Sequence, residues 1–229
     1  MILPEERGLT VILLGPPGVG KGAQGALLAT AFGWERIITG DLLRSALREG
    51  TELGKKAQTF MDAGDLVPDD LMIDLVAGRL RDFSPDQGVV FDGFPRTVAQ
   101  GEALSRVLPS VDRGVDAVLL LEASDEVLVK RISGRRGCPQ CGRVYNIYSA
   151  PPVTEGSCDE CGARVNHRTD DQPDTVRHRL NVYLDQTEPL VAHYEIGAFP
   201  VLRVDGEGSL EQVRSAVLDA LTSHLGVRA

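Results

Sequence analysis

Apolar residues gather in short runs separated by longer amphipathic stretches. TVILLG (10–15), RII (36–38), GVVFD (88–92), DAVLLLE (116–122) and PVLRVD (200–205) read as strands, the first of them buried. Helical patterns lie between: residues 20–32 are rich in Ala and Leu, and the last helix runs from about 209 to 224. Thr39 and Asp41 offer N-cap chemistry for the helix after 36–38. Strands alternating with helices predict an α/β fold, a parallel sheet with helices on both faces. No internal repeat or low-complexity segment interrupts the alternation.

Residues 135–170 break it. They hold all four cysteines and several Gly and Pro, with little helical periodicity, and read as a small inserted domain. Charge shifts there too. The chain of 229 residues has 24 basic and 33 acidic side chains, a net charge of −9. Between 130 and 179 there are nine basic and six acidic residues, a balance of +3, which leaves −12 for the rest. A local cationic patch on an acidic chain points to a small anionic ligand. The acidic total argues against a nucleic-acid surface. No apolar run approaches the ~18 residues needed to span a bilayer. The N-terminus has two glutamates where an export signal would be basic, so a cytoplasmic protein with reduced cysteines is expected.

Between the first strand and the first helix lies GPPGVGK (15–21), which fits G-x-x-x-x-G-K. The glycines let backbone N–H groups point at a phosphate, and the helix N-terminus adds partial positive charge. Lys21 would reach the terminal phosphates of a triphosphate. Gly22 and Ala23 follow where such loops have a hydroxyl, so magnesium would be held mainly through phosphate oxygens and water. Asp92, closing a strand, suits a more distant magnesium partner.

Cys138-x2-Cys141 and Cys158-x2-Cys161 are separated by sixteen residues, and a glycine follows each pair. This is zinc-ribbon spacing. Four thiolates close a tetrahedral shell, so the metal would be structural. His167 is a spare ligand candidate.

Taken in order, GPPGVGKGAQ (15–24), TGDLLR (39–44) and DGFPRT (92–97) resemble the motifs of the adenylate kinases, within the nucleoside monophosphate kinases. The likeness continues through SGRR (133–136), CGRVYN (141–146), RTDDQ (168–172) and VRHRL (176–180), so it spans nearly the whole chain. It is to the long form, whose lid carries a zinc insert. The resemblance implies a P-loop three-layer α/β/α fold with a five-stranded parallel sheet. It implies a core of 1–38, 68–134 and 171–229, a helical monophosphate-binding segment at 39–67, and a lid with a zinc ribbon at 135–170. The implied reaction passes the terminal phosphoryl group of ATP to AMP, giving two ADP, with Mg2+.

Residue roles follow from the same resemblance. Gly18, Val19, Gly20, Lys21, Gly22 and Ala23 would wrap the ATP phosphates, Ala23 standing where the family usually has Thr. Arg131 and Arg135 would meet ATP from the lid hinge, and Val144, Tyr145 and Gly208 would line its base and ribose. Thr39, Arg44, Asp65, Leu66, Val67, Gly93, Phe94, Pro95, Arg96 and Gln100 would hold AMP. Arg168 and Arg179 would reach AMP and the transferring phosphates, acting with Lys21, Arg96 and Arg135 in catalysis. On residue chemistry, Tyr145 fits lid core and nucleotide contact equally, and Asp170 and Asp171 suit pairing with arginines. Phosphoryl transfer needs two anions held in line and their charge neutralised, which forked arginines do well. Expected partners are ATP, AMP and ADP, with no nucleic acid or membrane, and a monomer. Two alternatives stay open: a kinase for UMP, CMP or GMP, and a nucleotide-binding regulatory protein without transfer.

Overall fold

The computed structural model describes residues 8–197 and 199–227. Residues 1–7 and 228–229, at the two ends of the expected core, and residue 198 lie outside the described residues. Five parallel strands form the central sheet: β1 (Thr10–Leu14), β2 (Glu35–Ile38), β3 (Val89–Asp92), β4 (Ala117–Glu122) and, last in the chain, Val201–Asp205. Between β4 and that last strand, β5 (Arg135–Gly137) and β6 (Val144–Asn146) pair antiparallel in a separate hairpin, which makes the last strand β7. The sheet order is β2-β3-β1-β4-β7. All five strands expected from the apolar runs are present, with ends shifted by no more than a residue at each terminus.

Successive side chains on each strand point to opposite faces, and both faces are covered. Ile12, Leu14, Phe91, Val118 and Leu120 face one layer. There they meet α4 (Asp69–Leu80), α5 (Val98–Val107) and α8 (Glu188–Ile196) through residues such as Val76, Leu104 and Tyr194. Val11, Leu13, Val90, Leu119 and Leu121 face the other, against α1 (Lys21–Phe32), α6 (Asp125–Gly134) and α9 (Leu210–Leu225). β1, β3 and β4 read as continuous apolar runs because neither face meets water, whereas the edge strand β7 alternates, with Arg203 and Asp205 exposed. Helices α2 (Thr39–Arg48) and α3 (Glu52–Ala63) project between β2 and α4, and α7 (Pro173–Val182) follows the hairpin.

Cap chemistry sets several helix starts. Ser209 and Gln212 form a reciprocal capping box at α9, and Thr97 accepts the Gln100 amide N–H at α5. The expectation for α2 is corrected. Thr39 is already helical, Ile38 occupies the cap position without a side-chain bond, and the Thr39 hydroxyl instead donates to the Gly93 carbonyl at 2.8 Å.

Candidate active site

The strands' C-terminal ends open on a cavity of about 920 Å3, at the upper end of the range for small-molecule sites. Its floor is the loop between β1 and α1. Gly20 has φ 113°, yet a Cβ there would meet nothing within 4 Å. Glycine is needed at that position for the backbone angle, and the space above it stays open. Gly15 is the opposite case: φ is 131° and a Cβ would lie 2.3 Å from the Leu121 carbonyl oxygen of β4.

Lys21 folds back over the loop, its Nζ donating to the Gly15 and Pro16 carbonyls at 2.5 and 2.9 Å. Burial pushes its pKa down to about 7; Asp92 opposes the shift, while Arg96, Arg179 and Arg135 add to it. Burial also lowers Arg96 to about 10, with Arg179 next in effect, and Arg168 to about 10, with Arg44 and Arg135 adding. Cations from several parts of the chain therefore repel one another around one space, which Asp41, Asp65, Asp92 and Asp170 also border. Asp170 and the buried Asp171 pair with two of its arginines. Asp171, fully buried, accepts Arg135 through both oxygens, the Nε bond being 2.7 Å. Asp170 accepts Arg179 at 2.7 Å. Burial opposes the Arg135 charge, but the Asp171 pair more than offsets it and raises the pKa. Asp170 is held below the usual carboxylate range because Arg179, Arg135 and Arg168 outweigh its burial.

On the side nearer α2 and α3, the Arg96 Nε donates to the Gly93 carbonyl at 2.7 Å. Arg44 meets Asp41 at 2.6 Å. Gln100 is 2% exposed, and its amide bridges the Arg96 backbone N–H and Asp69. Asp65 Oδ1 lies 2.6 Å from Nε2 of His178 on α7. On the opposite side, Arg131 donates to the carbonyls of Val19, Gly206, Glu207 and Gly208, joining the loop to the turn after β7.

In the hairpin region the four cysteine sulfurs all lie within 4.8 Å of one another, with Cys138–Cys161 and Cys141–Cys158 at 3.5 Å. A tetrahedral thiolate shell around zinc has sulfurs about 3.8 Å apart, so the donor set fits. The knuckle turns close by Gly142 N–H to Cys138 O and Gly162 N–H to Cys158 O. Tyr145 is buried among these residues, its hydroxyl donating to Cys158 Sγ at 3.4 Å and accepting the Asp159 N–H at 2.8 Å. His167 stands outside the cluster, 3.4 Å from the Gln172 amide.

A family model described as adenylate kinase matches residues 13–198. The chain belongs to the adenylate kinase family. It is a phosphotransferase, and an adenylate kinase moves the terminal phosphoryl group of ATP to AMP, giving two ADP. Among curated relatives, the adenylate kinase of Methanothrix thermoacetophila is 43% identical over 214 residues, covering 93% of this chain and 99% of the relative. Those of Kosmotoga olearia and Geobacter sp. (strain M21) are 44% and 45% identical over 214 residues, with the same coverage.

Most residues matched to adenylate kinase motifs line the one cavity, among them Lys21, Arg44, Arg96, Arg131, Arg135, Arg168 and Arg179. Gly18 to Ala23, Asp65 to Val67, Val144, Tyr145 and Gly208 also border it. Phe94 does not; it is buried in the core beside Phe91, with ring centroids 6.4 Å apart. Sequence reasoning missed Arg36, whose guanidinium donates to the Gly22 carbonyl at 2.9 Å and lies 3.7 Å from Asp92. It also missed Asp69. Neither sits in a recognisable motif, so pairing across the fold was the only available signal.

Proposed function

We propose that the cavity binds ATP and AMP together and that its cations position and neutralise the phosphates for in-line transfer. The observation behind this reading is the convergence of Lys21 with Arg44, Arg96, Arg135, Arg168 and Arg179 on one space. A single nucleotide switch has no use for so many cations around a second compartment. ATP would lie over the loop from Gly18 to Ala23, with its base towards Gly208 and Val144. AMP would lie between α2, α3 and Gly93, its base against Gln100 and its phosphate near Arg44 and Arg96. Arg135, Arg168 and Arg179 would face the phosphoryl group between them. Arg131 would act chiefly by holding the loop against the turn at Gly206 to Gly208.

Asp92 would help hold an ATP-bound Mg2+, which would supply charge neutralisation at the phosphates. Asp92 fits that place because its Oδ2 comes within 3.3 Å of where a Gly22 Cβ would stand. No side chain here abstracts a proton: the acceptor is already an anion, and the protein's contribution is orientation and electrostatics. The four cysteines would hold one structural zinc. Residues 39–67 and 135–170 would be the segments that close over AMP and ATP, on a core of 1–38, 68–134 and 171–229. The enzyme would work as a cytoplasmic monomer.

The test is a coupled assay of the purified protein with ATP and, separately, AMP, UMP, CMP and GMP. AMP is expected to be the acceptor with the highest kcat/KM. A higher value with another monophosphate would overturn the placement of Gln100 at the adenine.

A further inference from the structure

Gln100 can discriminate bases only if its amide is held one way round. A primary amide presents a donor and an acceptor side by side, and a half-turn exchanges them. One orientation complements adenine, whose edge offers an amino donor next to a ring acceptor. The flipped one complements a 6-oxopurine, which offers a carbonyl acceptor next to a ring N–H. An unanchored glutamine would therefore accept both.

Here the orientation is dictated by two neighbours that cannot reverse. Gln100 Nε2 donates to Asp69 Oδ1 at 2.7 Å, and Gln100 Oε1 accepts the Arg96 backbone N–H at 2.7 Å. A carboxylate only accepts and a backbone N–H only donates. Flipping the amide would set oxygen against carboxylate and NH2 against N–H, losing both bonds in a buried place. Asp69 is fixed in turn, because its Oδ2 accepts the Thr97 hydroxyl at 3.1 Å, and that same hydroxyl oxygen caps α5 by accepting the Gln100 backbone N–H at 3.1 Å. Gln100 borders the cavity beside Gly64 to Val67 and Met72, whereas Asp69 does not border it. After both protein bonds, Gln100 retains one N–H and one lone pair, the number needed for one purine edge.

We propose that Asp69, at the first turn of α4, is a positioning residue that sets base selectivity by locking the Gln100 amide against rotation. It makes the site reject 6-oxopurine monophosphates. This rests on the placement of the AMP base against Gln100 proposed above.

The experiment compares wild type with Asp69→Asn, Asp69→Ala and Gln100→Ala, using ATP with AMP or IMP, together with ATP KM and Tm. Asp69→Asn is nearly isosteric but can present either an oxygen or an NH2, so it removes one of the two constraints and leaves only the Arg96 N–H to oppose the flip. IMP shows the 6-oxopurine edge without a further amino group. The AMP-to-IMP ratio of kcat/KM is expected to fall at least tenfold in both Asp69 variants, largely through acceptor KM, with ATP KM within about twofold of wild type. Equal losses for both acceptors, or an unchanged ratio in folded protein, would show that Asp69 is merely structural. If Gln100→Ala lowers the ratio and the Asp69 variants do not, the lock is refuted while the Gln100 placement stands. If Gln100→Ala leaves the ratio unchanged, the placement itself has failed, and the lock with it.

Discussion

Lys21 should make nucleotide binding take up a proton. In the empty site its amine is buried, donates to two carbonyls of its own loop, and has Arg96, Arg179 and Arg135 near enough to push its pKa down to about 7. A triphosphate laid on the loop supplies negative charge at that amine and returns the pKa towards the usual ~10.4 of lysine. The bound-state pKa is therefore the higher one. The favourable charge interaction is fully available below pH 7 and weakens as pH rises from there towards the bound-state value. At pH 8 about one free enzyme in eleven has Lys21 charged, so binding takes up about 0.9 proton; affinity falls by about tenfold per pH unit between about 7 and 10. The assay is titration calorimetry with a non-hydrolysable ATP analogue and Mg2+ at pH 8, in buffers of different ionisation enthalpy. The slope of apparent enthalpy against buffer enthalpy gives the protons exchanged. Lys21→Arg should abolish the uptake, because a guanidinium stays charged at pH 8. A slope of zero in the wild type would refute the reasoning: the amine would then already be charged in the empty cleft.

Ala23→Thr is expected to change turnover by less than about tenfold, roughly 1.4 kcal/mol, because backbone N–H groups hold the phosphates; steady-state kinetics at saturating substrates checks it. Asp171→Asn takes the paired carboxylate from Arg135 and the second of two from Arg179, so it should cost about 3 kcal/mol and lower Tm by about 6–12 °C in calorimetry. Removing the zinc that the four cysteines are proposed to hold, or combining Cys138→Ser with Cys161→Ser, should lower Tm by at least about 5 °C while low-temperature turnover largely survives. Metal analysis and a kinase assay on the same samples measure both.

The sheet was legible because β1, β3 and β4 are apolar almost without interruption and the helices are not. Thr10 to Leu14 and Ala117 to Glu122 needed no tertiary information. The phosphate loop and the cysteine spacing were equally local, since Gly15 to Lys21 and each Cys-x2-Cys pair act within a few residues. What could not be read is where a side chain turns when two partners compete for it. Thr39 has the composition of a cap but spends its hydroxyl on Gly93, 54 residues away. Tyr145 fitted two roles, and the fold gives it both surroundings: its hydroxyl meets Cys158 while the residue borders the cavity. Phe94 sits inside the DGFPRT motif yet packs into the core. Asp69 has meaning only through Gln100, 31 residues on.

The two aspartates that meet Arg135 and Arg179 make the empty enzyme a partial mimic of the occupied one. Each guanidinium already rests against an anion, extended and partly stripped of water, before any substrate arrives. Ordering a long side chain at an interface usually costs about 0.5–1.5 kcal/mol, and these two have met part of that cost during folding. The aspartates are built-in counter-ions, and in the proposed placement substrate phosphates would compete with them for the same donors. Encounter then becomes an exchange of one anion for another at fixed cations. An enzyme that must release ADP as readily as it binds ATP gains from this, because the carboxylates are always at hand to take the arginines back.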